Sequence, residues 1–190
     1  MLLLQPNELP FRIDRPAAMP LDDSDRLRPL LAVVGFRFDH ISQPADAPVD
    51  AVLFPESGMV SLIAAPDDGE RIEAGVASRE GFVGVPLLLG DDDQLVEARV
   101  QNSGTTLRIE GNEIRAATAD SAPMRTLLLR CVLALHMQAT PTAACNACHP
   151  IERPSARWLL TVHERAEADR FGITHEFVSV MLGSAGQAHP

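Results

Sequence analysis

Lysine is absent from this chain: all sixteen basic residues are arginine, set against 26 acids for a formal net charge of −10. An acidic whole repels phosphate, which excludes a general nucleic-acid binder and leaves only a local basic face for any DNA contact. Three cysteines are too few for a disulfide framework, and small buried thiols are their expected state. No apolar run approaches the roughly eighteen residues of a membrane span, and Met1 to Leu4 is too short, without a basic flank, for a secretory h-region. The expectation is a cytoplasmic protein with no membrane partner. No serine, cysteine or aspartate is arranged with a base as a nucleophile would be, and no phosphate-cradling loop occurs, so an enzyme is not expected.

What is present is enough apolar material, 46% of 190 residues, to bury one core and hold a small second unit. The organising stretch runs from Ser121 to His149 and reads as one helix. Met124, Leu128, Cys131, Leu135, Gln138, Thr142 and Cys145 recur at alternating steps of four and three, which lays a seam along one side. Asp120 or Ser121 can cap its start, and Pro123 suits the first turn. At 1.5 Å per residue it reaches on the order of 40 Å, more than a compact domain of this size needs. The seam (Met124, Leu128, Cys131, Leu135, Gln138) therefore predicts a homodimer spine; the alternative is a core helix of one protomer. Pro141 inside it predicts a kink or break between Met137 and Pro141.

Ahead of the helix, residues 1 to 20 carry four prolines and read as an irregular arm, followed by a short helix over Asp22 to Leu31 that Pro29 limits. From Val49 the period changes to two. Val60, Leu62 and Ala64 alternate with Ser61, Ile63 and Ala65; after Asp67-Asp68-Gly69, Ile72, Ala74 and Val76 alternate with Arg71, Glu73 and Gly75. The pattern resumes in Val96 to Gln101 and in Leu107 to Glu110. Apolar-in, polar-out alternation over short strands predicts an antiparallel sandwich or roll. After the long helix, a second helix is expected from Pro154, its Trp158, Leu159 and Val162 facing a small core. A short link leads to Thr174, which caps a brief helix, His175 to Leu182, ended by Gly183, the opening of a helix-turn-helix. The expected domains are 1–36 (arm and short helix), 37–118 (β-roll sensor), 119–149 (dimerisation helix) and 150–190 (helix-turn-helix).

Two segments, LFPESGMVSLIAAPDDGERIEAGVASREGFVGVPLLLG (Leu53 to Gly90) and AACNACHPIERPSARWLLTVHERAEADRFGITHEFVSVMLG (Ala143 to Gly183), agree in order and spacing with the Crp/Fnr family of bacterial transcription regulators, which the sequence resembles. The resemblance implies an α+β fold: an antiparallel, cyclic-nucleotide-binding-like β-roll (jelly roll), a long dimerisation helix and a winged helix-turn-helix. It also implies a DNA partner and a small-molecule effector, here unknown. Nucleotide-binding members hold the ribose with a glutamate and the phosphate with an arginine; here that region reads Gly84-Val85-Pro86 and Gly90-Asp91-Asp92-Asp93-Gln94, so no cyclic nucleotide is expected. The triple aspartate is a solvated corner or, less plainly, a cation site. In the family the recognition helix would begin near Gly183; Ser184 to Pro190 contains no arginine, and residues 150 to 190 hold four arginines against five acids. The expectation is an incomplete helix-turn-helix, with Thr174, His175 and Glu176 its DNA-binding remnant and DNA binding weak or lost.

Arg79, Glu80, Gly81 and Gly84 form the candidate effector pocket; the alternative is an exposed corner with an ion pair worth about 0–1 kcal/mol. Cys145-Asn146-Ala147-Cys148-His149 fits the c-type haem pattern C-x-x-C-H, a short match that leaves a redox or haem sensor as one alternative function. The other is a dimerising or heterodimerising module without DNA contact. Neither a cofactor nor a metal is expected.

Overall fold

The architecture is that of a computed structural model, which describes residues 21–65, 71–165 and Val178. Helix α1 (Leu21–Leu27) and a 3-10 turn (Arg28–Leu30) lead into β1 (Ala32–Phe36), β2 (Ile41–Gln43), β3 (Ala47–Pro48), β4 (Ala51–Pro55), β5 (Met59–Ala64) and β6 (Ile72–Ala77). Then come α2 (Val85–Leu89), β7 (Asp93–Gln94), β8 (Glu97–Asn102), β9 (Gly104–Glu110), α3 (Gly111–Asp120), α4 (Ala122–Cys148) and α5 (Glu152–Arg165). Strands pair antiparallel in a three-stranded sheet β1-β9-β4, a four-stranded sheet β2-β8-β5-β6 and a small β3-β7 ribbon.

Period-two alternation places the layers. In β4, Leu53 turns toward the four-stranded sheet and joins Phe36, Val60, Ala77, Val83, Ala98 and Val100 as the filling of the roll. Val52 and Phe54 turn the other way and, with Leu107 and Ile109 of β9, meet Phe82, Leu87, Ile114, Met124, Leu127, Leu128 and Cys131 from the helical side. The four-stranded sheet is covered on its outer face too: Met59, Ile63 and Val76 pack against Trp158 and Val162 of α5, with Val178 at the margin. Both faces of β5 are therefore dry, and the polar face that alternation predicts to be wet carries Ser61 (0% exposed) and Glu73 (5% exposed) under α5. A register shift between Leu62 and Ile63, which sets Glu73 opposite Ile63, aims that carboxyl into the covered face.

One corner depends on having no side chain. A Cβ on Gly104 would stand 2.2 Å from the Ser57 carbonyl oxygen, where the β4–β5 corner crosses the start of β9. Backbone cannot yield as a side chain would. Gly104→Ala is expected to lower stability by about 1–3 kcal/mol, read as a lower midpoint in urea with an unchanged slope.

Helix α4 starts on Ser121, whose Oγ accepts from the Met124 N–H at 3.2 Å and donates to Asp23 Oδ2 at 2.7 Å. The expected break near Met137 to Pro141 does not occur: the helix runs unbroken to Cys148 with Pro141 inside it. Pro141 offers no N–H to the Met137 carbonyl, but both residues lie on the exposed side, where water can take that acceptor. On either side, Thr140 and Thr142 hydroxyls donate to the carbonyls of His136 and Gln138 at 3.2 and 2.8 Å. Helix α3, in the stretch read as roll, has no apolar period strong enough to announce it; Gly111 starts it because its N–H reaches Asp50 O at 2.7 Å and a larger residue would press on Leu87.

Candidate functional site

The seam expected to meet a second copy faces this chain's own roll instead. Met124, Leu128 and Cys131 are each 1% exposed, inside the helical-side core. Leu135 lies over Gly81, close enough that a Cβ there would touch it at 3.6 Å, and Gln138 lies over Gly75 and Val76. A four-three period marks a face that is covered, whatever covers it. The side of α4 left uncovered carries Leu129, Leu133 and Met137, 42 to 56% exposed and four residues apart, flanked by Arg130, His136 and Thr140.

The four candidate effector residues are not gathered into one pocket. Glu80 points to α5 and pairs with Arg165, both groups largely buried. Gly81 sits beneath α4, whereas Gly84 serves the turn into α2, with φ +100° and a Cβ that would stand 2.7 Å from Ala51 O. No ion-pair partner is found for Arg79 among the described residues. Nor is the roll lined for an anion. Its filling is aliphatic and aromatic, while Arg71, Arg99, Arg108 and Arg115 are paired to Glu97, Asp39, Asp50, Glu110 and Asp92 outside it. Val85 is half-buried in α2, and Gln94 is held in the β3-β7 ribbon by its backbone. In the aspartate corner, Asp91 Oδ1 accepts from the backbone N–H groups of Asp92 and Asp93, and Asp92 pairs with Arg115; no group of three metal-ligating side chains occurs among the described residues.

The polar centre that sequence reading missed lies between the four-stranded sheet and α5. Ser61 Oγ donates to Gln101 Oε1 at 2.9 Å, and the Glu73 carboxyl lies beside Ser61 and the Trp158 side chain. Glu73 Oε2, Gln101 Nε2 and Arg157 Nε are buried with no hydrogen-bond partner among the described residues. Arg157 Nη1 donates to Thr142 Oγ1 at 2.8 Å, tying α5 to α4. The Gln138 amide closes the group: with its nitrogen donating to Val76 O at 3.1 Å, its oxygen accepts from Arg165 Nη2 at 3.0 Å. The only signal for this centre in the sequence is Glu73 itself, a carboxylate within a strand, which alternation assigns to water.

Leu159, expected to face a core with Trp158 and Val162, is 46% exposed beside Leu160; one turn of helix cannot aim all of them at one sheet. Thr174, His175 and Glu176 lie outside the described residues, as do residues 1–20, the turn expected at Asp67-Asp68-Gly69 and Gly183 to Pro190. Cys145 is half-buried and Cys148 exposed at the end of α4, beside exposed His149; burial pushes the Cys131 thiol up to about 12, which removes it as a thiolate. Among the described residues no helix is long and apolar enough to cross a membrane.

A roll, a long helix and a further helix folded back on the roll make up the architecture, and solved structures share it. A protein from Eubacterium rectale assigned to the crp/fnr family of transcriptional regulators matches with TM-score 0.73 at 14% identity, over 87% of this chain and 78% of that one. FixK2 from Bradyrhizobium japonicum matches with TM-score 0.69 at 13% identity, over 80% and 77%. CLP from Xanthomonas campestris, a c-di-GMP-responsive global regulator, matches with TM-score 0.65 at 16% identity, over 86% and 85%. Compared by sequence, the chain matches no protein-family model and no curated protein. The fold is the cyclic-nucleotide-binding-like β-roll with long helix found in Crp/Fnr regulators.

Proposed function

We propose that this chain is a cytoplasmic, non-catalytic transcription regulator of the Crp/Fnr type, a homodimer whose roll takes a signal other than a cyclic nucleotide. The observation that carries the reading is the two-sided character of α4: one face is fixed to the roll, and the other presents Leu129, Leu133 and Met137 exposed, with nothing over them among the described residues. Apolar residues at such spacing on a helix this long suit a second copy of the same helix. The dimer seam is thus reassigned to the opposite face from the one read from sequence. Replacing Leu133 and Met137 together by glutamate is expected to convert a dimer to a monomer in sedimentation equilibrium, with the circular dichroism of the roll retained. A wild-type monomer would remove the reading.

DNA contact is assigned to the segment after α5, including Thr174, His175 and Glu176, and it is weak, because residues 150 to 190 carry four arginines against five acids. Fluorescence polarisation on a non-specific duplex at low salt tests it: binding that falls steeply as salt rises is expected. No binding at any salt favours the second reading, a dimerising or heterodimerising module, for which that charge balance is the supporting observation.

A further inference from the structure

The interface between α5 and the roll is built around an acid, and an interface of that kind can be opened by a proton. We propose that Glu73 latches α5 onto the outer face of the four-stranded sheet while its carboxyl is protonated, and that loss of the proton releases α5. The latch itself stands on the geometry of the described residues; that its release frees a DNA-binding segment rests on the function proposed above.

Three observations support it. Glu73 comes from a strand and is 5% exposed, on the sheet face that Trp158 and Val162 of α5 help to cover, so undocking α5 opens that face, and the carboxyl with it, toward water. Oxygen Oε2 has no donor among the described residues, the arrangement that disfavours a carboxylate and is tolerable for a neutral acid. The charges around it are few and already engaged. From α5, Arg157 bonds Thr142 while Arg165 pairs with Glu80 of the segment after β6. From the sheet, Ser61 and Gln101 are uncharged, and Arg99, opposite Ser61 in register, is held by Glu97 and Asp39. From α4, Gln138 and Thr142 do not titrate.

Burial pushes the Glu73 carboxyl up from 4.5 to about 7, against the opposing pull of the neighbouring polar groups of Ser61 and Trp158 and the charges of Arg157 and Arg165. The docked state therefore holds the proton more tightly than the released state. Docking is strongest below the released value and weakens as pH rises from about 4.5 to about 7, above which it levels off. Between pH 5 and pH 8 the docking constant falls by roughly 50- to 100-fold.

Trp158 is the single tryptophan and sits in the interface, so its fluorescence reports docking directly. The wild-type chain is titrated from pH 5 to pH 8, with acrylamide quenching and far-ultraviolet circular dichroism in parallel. The expected result is emission that moves to longer wavelength and quenches more readily as pH rises, the roll's circular dichroism unchanged, while Glu73→Gln keeps a shielded Trp158 throughout. Val162→Asp, which drives a charge into the same contact, supplies the emission of released α5 at every pH. A wild-type Trp158 that does not respond to pH overturns the latch, and so does a Glu73→Gln chain that responds as wild type does. A Trp158 response unaccompanied by any change in DNA polarisation supports the latch and removes the regulator reading alone.

Discussion

Phe82→Ala is expected to lower the unfolding free energy by about 3–5 kcal/mol and the melting temperature by on the order of 10 °C. Phe82 is fully buried and its ring lies 5.7 Å from that of Phe54, tilted by 52°. That pair sits where β4, α2 and α4 converge, among Val52, Leu87, Met124 and Leu128. Removing one ring leaves a void that strands and helices on three sides hold open, so relaxation is small and the cavity penalty adds to the lost transfer energy. Phe82→Leu fills most of the volume and is expected to cost clearly less. Differential scanning calorimetry on the three proteins checks the order; equal melting temperatures for Phe82→Ala and wild type would contradict the packing described here.

Arg165→Met alone is expected to destabilise the docked chain by about 2–4 kcal/mol, and Arg165→Met combined with Glu80→Leu by much less. The pair is 13% and 16% exposed, which places it nearer the buried than the surface case. Losing the guanidinium strands the Glu80 carboxylate in a low-dielectric contact and also takes the donor from the Gln138 amide. Removing both charges leaves apolar surface that packs as well. Urea unfolding followed by Trp158 fluorescence measures the cycle, and additive single and double effects would show that the pair is no more than a surface contact.

The helices and strands were legible to different degrees, for physical reasons that particular residues show. Ser121 announces α4 because an N-cap needs a short acceptor side chain just before the helix, and the four-three repeat that follows reflects real burial at Met124, Leu128 and Cys131. What covers that face is not written in the repeat, since a neighbouring sheet and a second chain demand the same apolar residues. The roll shows through in β5, β6, β8 and β9, where alternation is regular. It does not show in β1 to β3, which are exposed or very short, or in α3, whose apolar positions are few. The α5 interface was illegible for a third reason: Ser61, Glu73 and Gln101 are polar, and alternation assigns polar residues to solvent. Their burial depends on a helix some eighty residues further along the chain.

The gradient along α4 carries one more consequence. Its opening turns are sunk in aliphatic and aromatic packing through Met124, Leu127, Leu128 and Cys131, whereas beyond Leu135 the attachment passes to single polar groups, Gln138 and Thr142, and to a turn that Pro141 leaves one backbone bond short. Amide protons of the C-terminal half are therefore expected to exchange with solvent well before those of the first half. The rod behaves as a stiff root with a pliant tip, and α5 is carried by the tip.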